Sequence, residues 1–280
     1  MSFAYSVAPF RLRMERAWTA HDSMLCVGLD PDPTRMPAAF SGEADSIAPF
    51  LSAIVAATAD VACAFKPQIA HFAAVGAESA LEEVIAMIRR EAPHALVILD
   101  AKRGDIGSTA QMYAREAFER YGADAVTVNP YLGTDGLAPF LAYEDRGTVV
   151  LCRTSNPSGA EFQNTPSQAP LYERVATMAS EQWNARGNVM LVAGATQPEE
   201  LERIRAIAPA VPLLVPGIGA QGGDIDAVVA AGLDADGWGL VVSSSRAILY
   251  ASAGGDYAGA ARAEAIRTRD ALRSARDRIH

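Results

Sequence analysis

Eight short, nearly continuous apolar runs recur along the chain, each followed by a turn and then by a segment of helical period. The first four are MLCVGLD (24–30), VACAFK (61–66), ALVILDAK (95–102) and AVTVN (125–129). The others are TVVLCR (148–153), VMLVAG (189–194), PLLVPG (212–217) and GLVVSS (239–244). A strand with one wet face alternates polar and apolar residues. These runs do not, so both of their faces must be covered, as in parallel strands packed under helices. The intervening segments supply those helices. In ESALEEVIAMIRREA, Leu81, Val84, Ile85 and Ile88 keep the i, i+3, i+4, i+7 spacing, with Glu82, Glu83, Arg89 and Arg90 off the stripe. LYERVATMASEQWNARG and PEELERIRAIA behave alike, the second entering through Pro198. Eight such pairs fit a closed α/β barrel, the (β/α)8 or TIM barrel. An open doubly wound sheet fits less well, because its G-x-G-x-x-G turn after the first strand is replaced here by GLDPDP. One barrel uses roughly 250 residues. The 280 present therefore predict a single domain over 1–280, with an N-terminal helix over 8–20.

The net charge of −9, without a basic run, argues against a nucleic-acid backbone as partner, although a few local cations can still bind a small anion. Cys26, Cys63 and Cys152 sit inside apolar runs, and an odd number cannot all pair. They read as buried thiols of a reducing compartment. The N-terminus lacks a signal peptide's apolar core, and no apolar run approaches the ~20 residues of a membrane helix. A soluble, cytoplasmic protein without a membrane partner is expected.

In a barrel of this kind the chemistry collects at the C-terminal strand ends. Here those ends carry Asp30, Lys66, Asp100 with Lys102, Asn129, Thr154–Ser155, Gly194, Pro216–Gly217 and Ser243–Arg246. Each charged residue alone could simply mark where a strand meets water. Their convergence on one face argues for a site, since Lys and Asp are rarely buried unless paired. The densest segment is ILDAKRGDIGST (98–109). If the third strand continues, Asp100 and Lys102 point the same way by the period of two. Asp105 then lies in a turn, and Ile106 begins a helix. Carboxylates around Lys102 would hold it protonated, making it an acid able to deliver H⁺ rather than an amine poised for a Schiff base.

The pattern D-x-K-x-x-D-I-x-x-T, filled by Asp100, Lys102, Asp105, Ile106 and Thr109, resembles the central motif of the orotidine 5′-phosphate decarboxylases. The D-x-K-x-x-D part is shared with other barrel decarboxylases and aldolases acting on sugar phosphates. The remaining motifs narrow it: GLDPDP, FKPQIAHF, TSNPSG, PGIGAQGGD and SSSRAI. Their order and spacing resemble the longer of two bacterial forms, type 2, over nearly the whole chain. The resemblance implies a carboxy-lyase converting orotidine 5′-phosphate to uridine 5′-phosphate and CO₂ in pyrimidine biosynthesis, with no cofactor and no metal. Lys66, Asp100, Lys102 and Asp105 would form its charged tetrad, with Lys102 protonating C6. Asp30 would bind a ribose hydroxyl, with Thr109 near the ribose, and Ser155 would touch the pyrimidine. Gln221 and Arg246 would hold the phosphate, helped by backbone N–H groups near Gly219 and at Ser245. The chain departs from the family motif at Ser245, where glycine is usual; a serine still offers its N–H. Asn129 receives no role. Homodimers with shared active sites are implied too, Asp105 and Thr109 reaching into the partner's site.

Independently of the resemblance, Gly217, Gly219, Gly222 and Gly223 crowd seven residues, and loops after strands 7 and 8 are the usual phosphate site of this fold. A nearby helix N-terminus would favour an anion. The polar stretch of about 154–168 is too long for an ordinary βα loop and reads as a lid, with Ser155 and Gln163 able to reach a ligand on closure. The four histidines lack metal-ligand spacing. Two other readings remain: a Mg²⁺-dependent keto-sugar-phosphate decarboxylase or aldolase of the same barrel family, and a non-catalytic phosphonucleotide-binding barrel.

Overall fold

The computed structural model describes residues 8–40, 44–165, 169–218 and 224–280. The eight apolar runs become eight parallel strands that close into a barrel in sequence order. They are β1 (Leu25–Leu29), β2 (Ala64–Pro67), β3 (Leu96–Arg103) and β4 (Ala125–Val128). The second half comprises β5 (Gly147–Arg153), β6 (Val189–Ala193), β7 (Leu213–Pro216) and β8 (Leu240–Ser244). Nearly every strand residue is buried, as runs without polar alternation require.

Around the barrel run α1 (Phe10–Ala20), α2 (Ile47–Thr58), α3 (Ile69–Ala73), α4 (Glu78–Glu91), α5 (Gly107–Arg115) and α6 (Thr134–Leu141). Then come α7 (Ala160–Gln163), α8 (Leu171–Met178), α9 (Pro198–Ile207), α10 (Ile225–Gly232), α11 (Arg246–Leu249) and α12 (Tyr257–Asp277). The stripe expected on α4 is the buried one, Leu81, Val84, Ile85 and Ile88. No helix among the described residues is long and apolar enough to cross a membrane. The three cysteines are buried and unpaired, and burial pushes the Cys26 thiol up to about 12, so it offers no thiolate nucleophile.

Helix α1 lies across the N-terminal face of the barrel. Phe10, Met14 and Trp18 are buried, and the Trp18 indole N–H donates to the Leu240 carbonyl at the start of β8 (2.8 Å). Beside them, Asp124 at the foot of β4 is fully buried and gathers three guanidinium groups. Arg13 from α1 bonds one carboxylate oxygen, which also lies 3.5 Å from Arg146; Arg89 from α4 bonds the other at 2.6 Å. The Val97 N–H donates to that second oxygen as well (2.7 Å). This hub ties α1, α4 and two strand ends together, at the opposite end of the barrel from the strand C-termini.

Replacing Asp124 by Asn should therefore lower stability without touching the chemistry. Removing one partner of a buried pair costs about 3–5 kcal/mol, less here because the arginines can turn toward water. A fall in melting temperature of roughly 4–10 °C is expected from a loss of about 2–3 kcal/mol in a chain of this size, with any turnover by the folded protein unchanged. Calorimetry with parallel turnover assays checks this; a changed kcat would contradict it.

Candidate active site

At the other end of the barrel, β2 and β3 bring Lys66, Asp100 and Lys102 together. The Lys66 ammonium donates to Asp100 Oδ2 at 3.0 Å, and that of Lys102 to Asp100 Oδ1 at 2.6 Å. Asp30, at the end of β1, lies 4.0 Å from Lys66. Lys66 and Asp100 are buried, whereas half of the Lys102 side chain faces solvent. Burial by itself would lower the Lys66 ammonium, but the carboxylates of Asp100 and Asp30 outweigh it and hold Lys66 above the ordinary lysine range. Burial would likewise raise Asp100. The two ammonium groups prevail and bring it down to about 2.

Asp100 and Lys102 do share a side, as the sequence predicts, but the pleat alone does not put them there. The register of β3 against β4 shifts between Leu99 and Arg103, and Lys102 sits in the left-handed region at φ 47°. That conformation is uncommon outside glycine and costs on the order of 1–3 kcal/mol, so neighbours must impose it. Thr127 of β4 is that neighbour. Its Oγ1 accepts the N–H groups of Ala101 and Lys102, each at 2.9 Å, and donates to Asp100 Oδ1 at 3.0 Å. One hydroxyl thus fixes both the kink and the carboxylate. Sequence reading passes over Thr127; the signal available was a lone hydroxyl in an apolar run, directed at the site.

The departure at Ser245 also finds a use. Its hydroxyl donates to Asp30 Oδ2 at 2.6 Å, tying the end of β8 to the end of β1. Gly28 makes the approach possible, because a Cβ there would lie 2.6 Å from that of Ser245. Tyr250, just past α11, braces the same loop: its hydroxyl accepts the Asp32 N–H (2.7 Å) and donates to the Asp30 carbonyl (3.2 Å). Asp30 Oδ1 is buried and makes no hydrogen bond among the described residues.

Two cavities meet at Lys66 and Pro216. One, of about 310 Å³, is bordered by Lys102, Thr127, Leu151, Ser155 and Asn156. The other, about 140 Å³, is bordered by Asp30, the Gly217–Ile218 turn, Ser245 and Arg246. Arg246 is exposed and forms no ion pair among the described residues, so it is a cation open to an anionic ligand. Of the residues singled out in sequence, Lys66, Asp100, Lys102, Asp30, Ser155, Ser245 and Arg246 converge on these cavities. Asp105 and Thr109 do not. Thr109 is exposed on α5, and Asp105 makes no ion pair among the described residues, its Oδ1 accepting the N–H of Ile106 (2.8 Å). Ile106 precedes the helix rather than beginning it. Gln221 and Gly219 lie outside the described residues. Gln163 turns away from the cavities, onto Thr154 and Arg153, and the lid-like stretch contains a 3₁₀ turn (Pro157–Gly159) and the short helix α7. Asn129 accepts the Tyr131 N–H, capping a 3₁₀ turn.

Residues 23–262 match the model of the orotidine 5′-phosphate decarboxylase / HUMPS family. The chain belongs to this family. It is 58% identical over 268 residues to orotidine 5′-phosphate decarboxylase of Azoarcus sp. (strain BH72), covering 95% of this chain and 99% of that one. The enzyme of the same name from Verminephrobacter eiseniae is 57% identical over 269 residues, covering 94% and 98%. Among solved structures, Leishmania donovani OMP decarboxylase is 38% identical with a TM-score of 0.84, covering 96% of this chain and 99% of that one. The family's barrel is the one predicted from the apolar runs.

The buried array sets a pH dependence. Because Asp100 is held near 2 in the fold against about 3.9 in an unfolded chain, its contribution to stability is complete above about pH 4. It is lost as the pH falls through about 2. Asp100→Asn leaves Lys66 buried without its nearer counter-charge and should destabilise the protein. That deficit should be constant from pH 5 to 8 and shrink below pH 4, as read by denaturant unfolding. A deficit that grows on acidification would contradict the assignment.

Proposed function

We propose that the barrel mouth converts orotidine 5′-phosphate to uridine 5′-phosphate and CO₂. The observation that carries this reading is the Lys66–Asp100–Lys102 array at the edge of a cavity large enough for a pyrimidine ring. Loss of the C6 carboxylate leaves an electron pair on a ring carbon that has no ordinary electron sink. The reading assigns its stabilisation to the Lys102 ammonium, fixed beforehand by Asp100 and Thr127 rather than reorganised during the reaction. The bond from C6 to the carboxylate carbon breaks, CO₂ leaves, and Lys102 transfers a proton from Nζ to C6, to be reprotonated from water. Asp100 lies near the departing carboxylate and keeps Lys102 charged and aimed.

Ser155 and Asn156 take the pyrimidine side of the larger cavity. Asp30, whose Oδ1 makes no hydrogen bond among the described residues, accepts from a ribose hydroxyl. Arg246 takes the phosphate with the Ser245 N–H, and Gln221 and Gly219 are assigned to the same group from the family motif. Grip on a phosphate remote from C6 gives binding energy that can order the site. The keto-sugar-phosphate reading fits less well. Both oxygens of Asp100 are already engaged by ammonium groups, and no group of three His, Cys, Asp or Glu side chains suited to a metal gathers among the described residues. The relatives at 55–58% identity also carry the decarboxylase name. A non-catalytic role leaves the strained Lys102 without a purpose. Three buried thiols fit the reducing cytoplasm.

We assign the working form as a homodimer with shared sites. Asp105, close in sequence to Lys102, does not pair with it within one chain. Exposed apolar side chains follow it at Ile106 (55%) and on α5 at Met112 (51%), and the 3₁₀ turn after β4 adds Tyr131 (81%) and Leu132 (46%); such a set suits a two-fold contact. Each subunit would then complete the other's site with Asp105 and Thr109. Lys102→Ala and Asp105→Ala should each be inactive alone. Mixed after dissociation and reassociation, they should regain activity, because each mixed dimer holds one doubly altered site and one native site. A mixture that stays inactive, once mixed dimers are shown to form, would mean that Asp105 acts on its own chain.

A further inference from the structure

Arg153, the last residue of β5, is buried, yet it borders neither of the two cavities that meet at Lys66. Its Nε donates to Glu200 Oε2 of α9 at 2.6 Å. Its Nη1 donates to the Thr154 carbonyl at 2.8 Å and to Gln163 Oε1 at 3.3 Å. The same Gln163 oxygen accepts the Thr154 N–H at 2.8 Å, and its amide donates to Thr154 Oγ1 at 2.9 Å. Glu200 is engaged on its other side by the Asn164 amide at 2.7 Å. Both ends of the segment from Thr154 to Asn164 are therefore fastened to one ion pair. The residues enclosed between them include Ser155 and Asn156, which border the larger cavity.

Two features of the backbone agree. The register of β5 against β6 shifts between Leu151 and Arg153, an irregularity of the kind that re-aims side chains at barrel rims. Leu151 borders the cavity while Arg153 reaches outward to α9. The chain then presses against β6, where a Cβ on Gly194 would lie 2.9 Å from the Ser155 backbone. An arginine suits the task because its planar fork can bond a carboxylate and a carbonyl at once, which an ammonium does poorly.

We propose that Arg153 and Glu200 form a clasp that positions the loop after β5, and that they act on the reaction through Ser155. Neither touches the nucleotide; both are positioning residues. The inference rests on reading this mouth as the nucleotide site. Its physical content is pre-organisation: with the loop fastened, Ser155 waits at the pyrimidine edge instead of being ordered at each turnover.

The test is a double-mutant cycle on kcat/KM for orotidine 5′-phosphate with Arg153→Ala, Ser155→Ala and the double variant. Misplacement of a positioning group costs on the order of 10²-fold, so Arg153→Ala should lose roughly 10- to 100-fold. In the Ser155→Ala background the same change should cost little further, because the residue it positions is gone. Arg153→Lys should rescue only part, and Glu200→Gln should repeat the pattern if Arg153→Ala folds poorly. Hydrogen exchange of residues 154–165, measured without substrate, should rise in each clasp variant. Additive losses would overturn the proposal, as would a lowered melting temperature with kcat/KM unchanged in the folded protein. Failure of the unaltered chain to turn over orotidine 5′-phosphate would instead sink the functional reading, while exchange would still report on the clasp.

Discussion

The carboxylate of Asp100, shared between two ammonium groups, is the interaction around which the rest of the site is arranged. Burying such an array is costly unless every charge is matched and every lone pair is used. Here Lys66 takes one oxygen and Lys102 with Thr127 take the other. The fold supplies what that requires. Parallel strands bring the ends of β2, β3 and β4 side by side, and a register shift in β3 turns Lys102 back over Asp100. Asp30 adds a second negative charge near Lys66, braced by Ser245 and Tyr250. The strain at Lys102 is thus matched by fixed hydrogen bonds rather than by a flexible loop.

The two ends of the barrel divide the physical work. At the N-terminal face, Asp124 with its three arginines and the apolar side of α1 hold the structure closed. At the C-terminal face the charges are left partly open, with Lys102 half exposed and Arg246 unpaired among the described residues. Substitution at Asp124 therefore reaches stability without reaching the mouth, because the two ends share no partners, whereas Asp100 contributes to stability from within the mouth. The two cavities that meet at Lys66 differ in character, one bordered by the Arg246 cation and the other by Ser155. On the proposed reading, a ligand spanning both would place its reacting carbon beside Lys102.

Much of this was legible in the chain. Unalternating apolar runs specify buried parallel strands, and their polar endings name Asp30, Lys66, Asp100, Lys102 and Ser155 before any geometry is known. What escaped depended on relations that no period expresses. Thr127 reads as one more strand residue until the bulge in β3 directs two N–H groups at it. Ser245 reads as a departure from a motif, and only its 2.6 Å bond to Asp30 gives the hydroxyl a purpose. Gln163 has the chemistry to meet a ligand, and in this structure it bonds Arg153 and Thr154 instead. Asp105 belongs to the motif and yet stands apart from Lys102 within one chain, a separation that sequence spacing cannot reveal.

If this chain's own charged array decarboxylates orotidine 5′-phosphate without a metal, its turnover must be indifferent to chelation. The most direct measurement mixes the purified protein with that nucleotide, with and without a strong chelator, and follows the ultraviolet band of the orotate ring. The band should be lost at the same rate in both samples as uridine 5′-phosphate forms. An unchanged spectrum, or turnover abolished by the chelator, would contradict it.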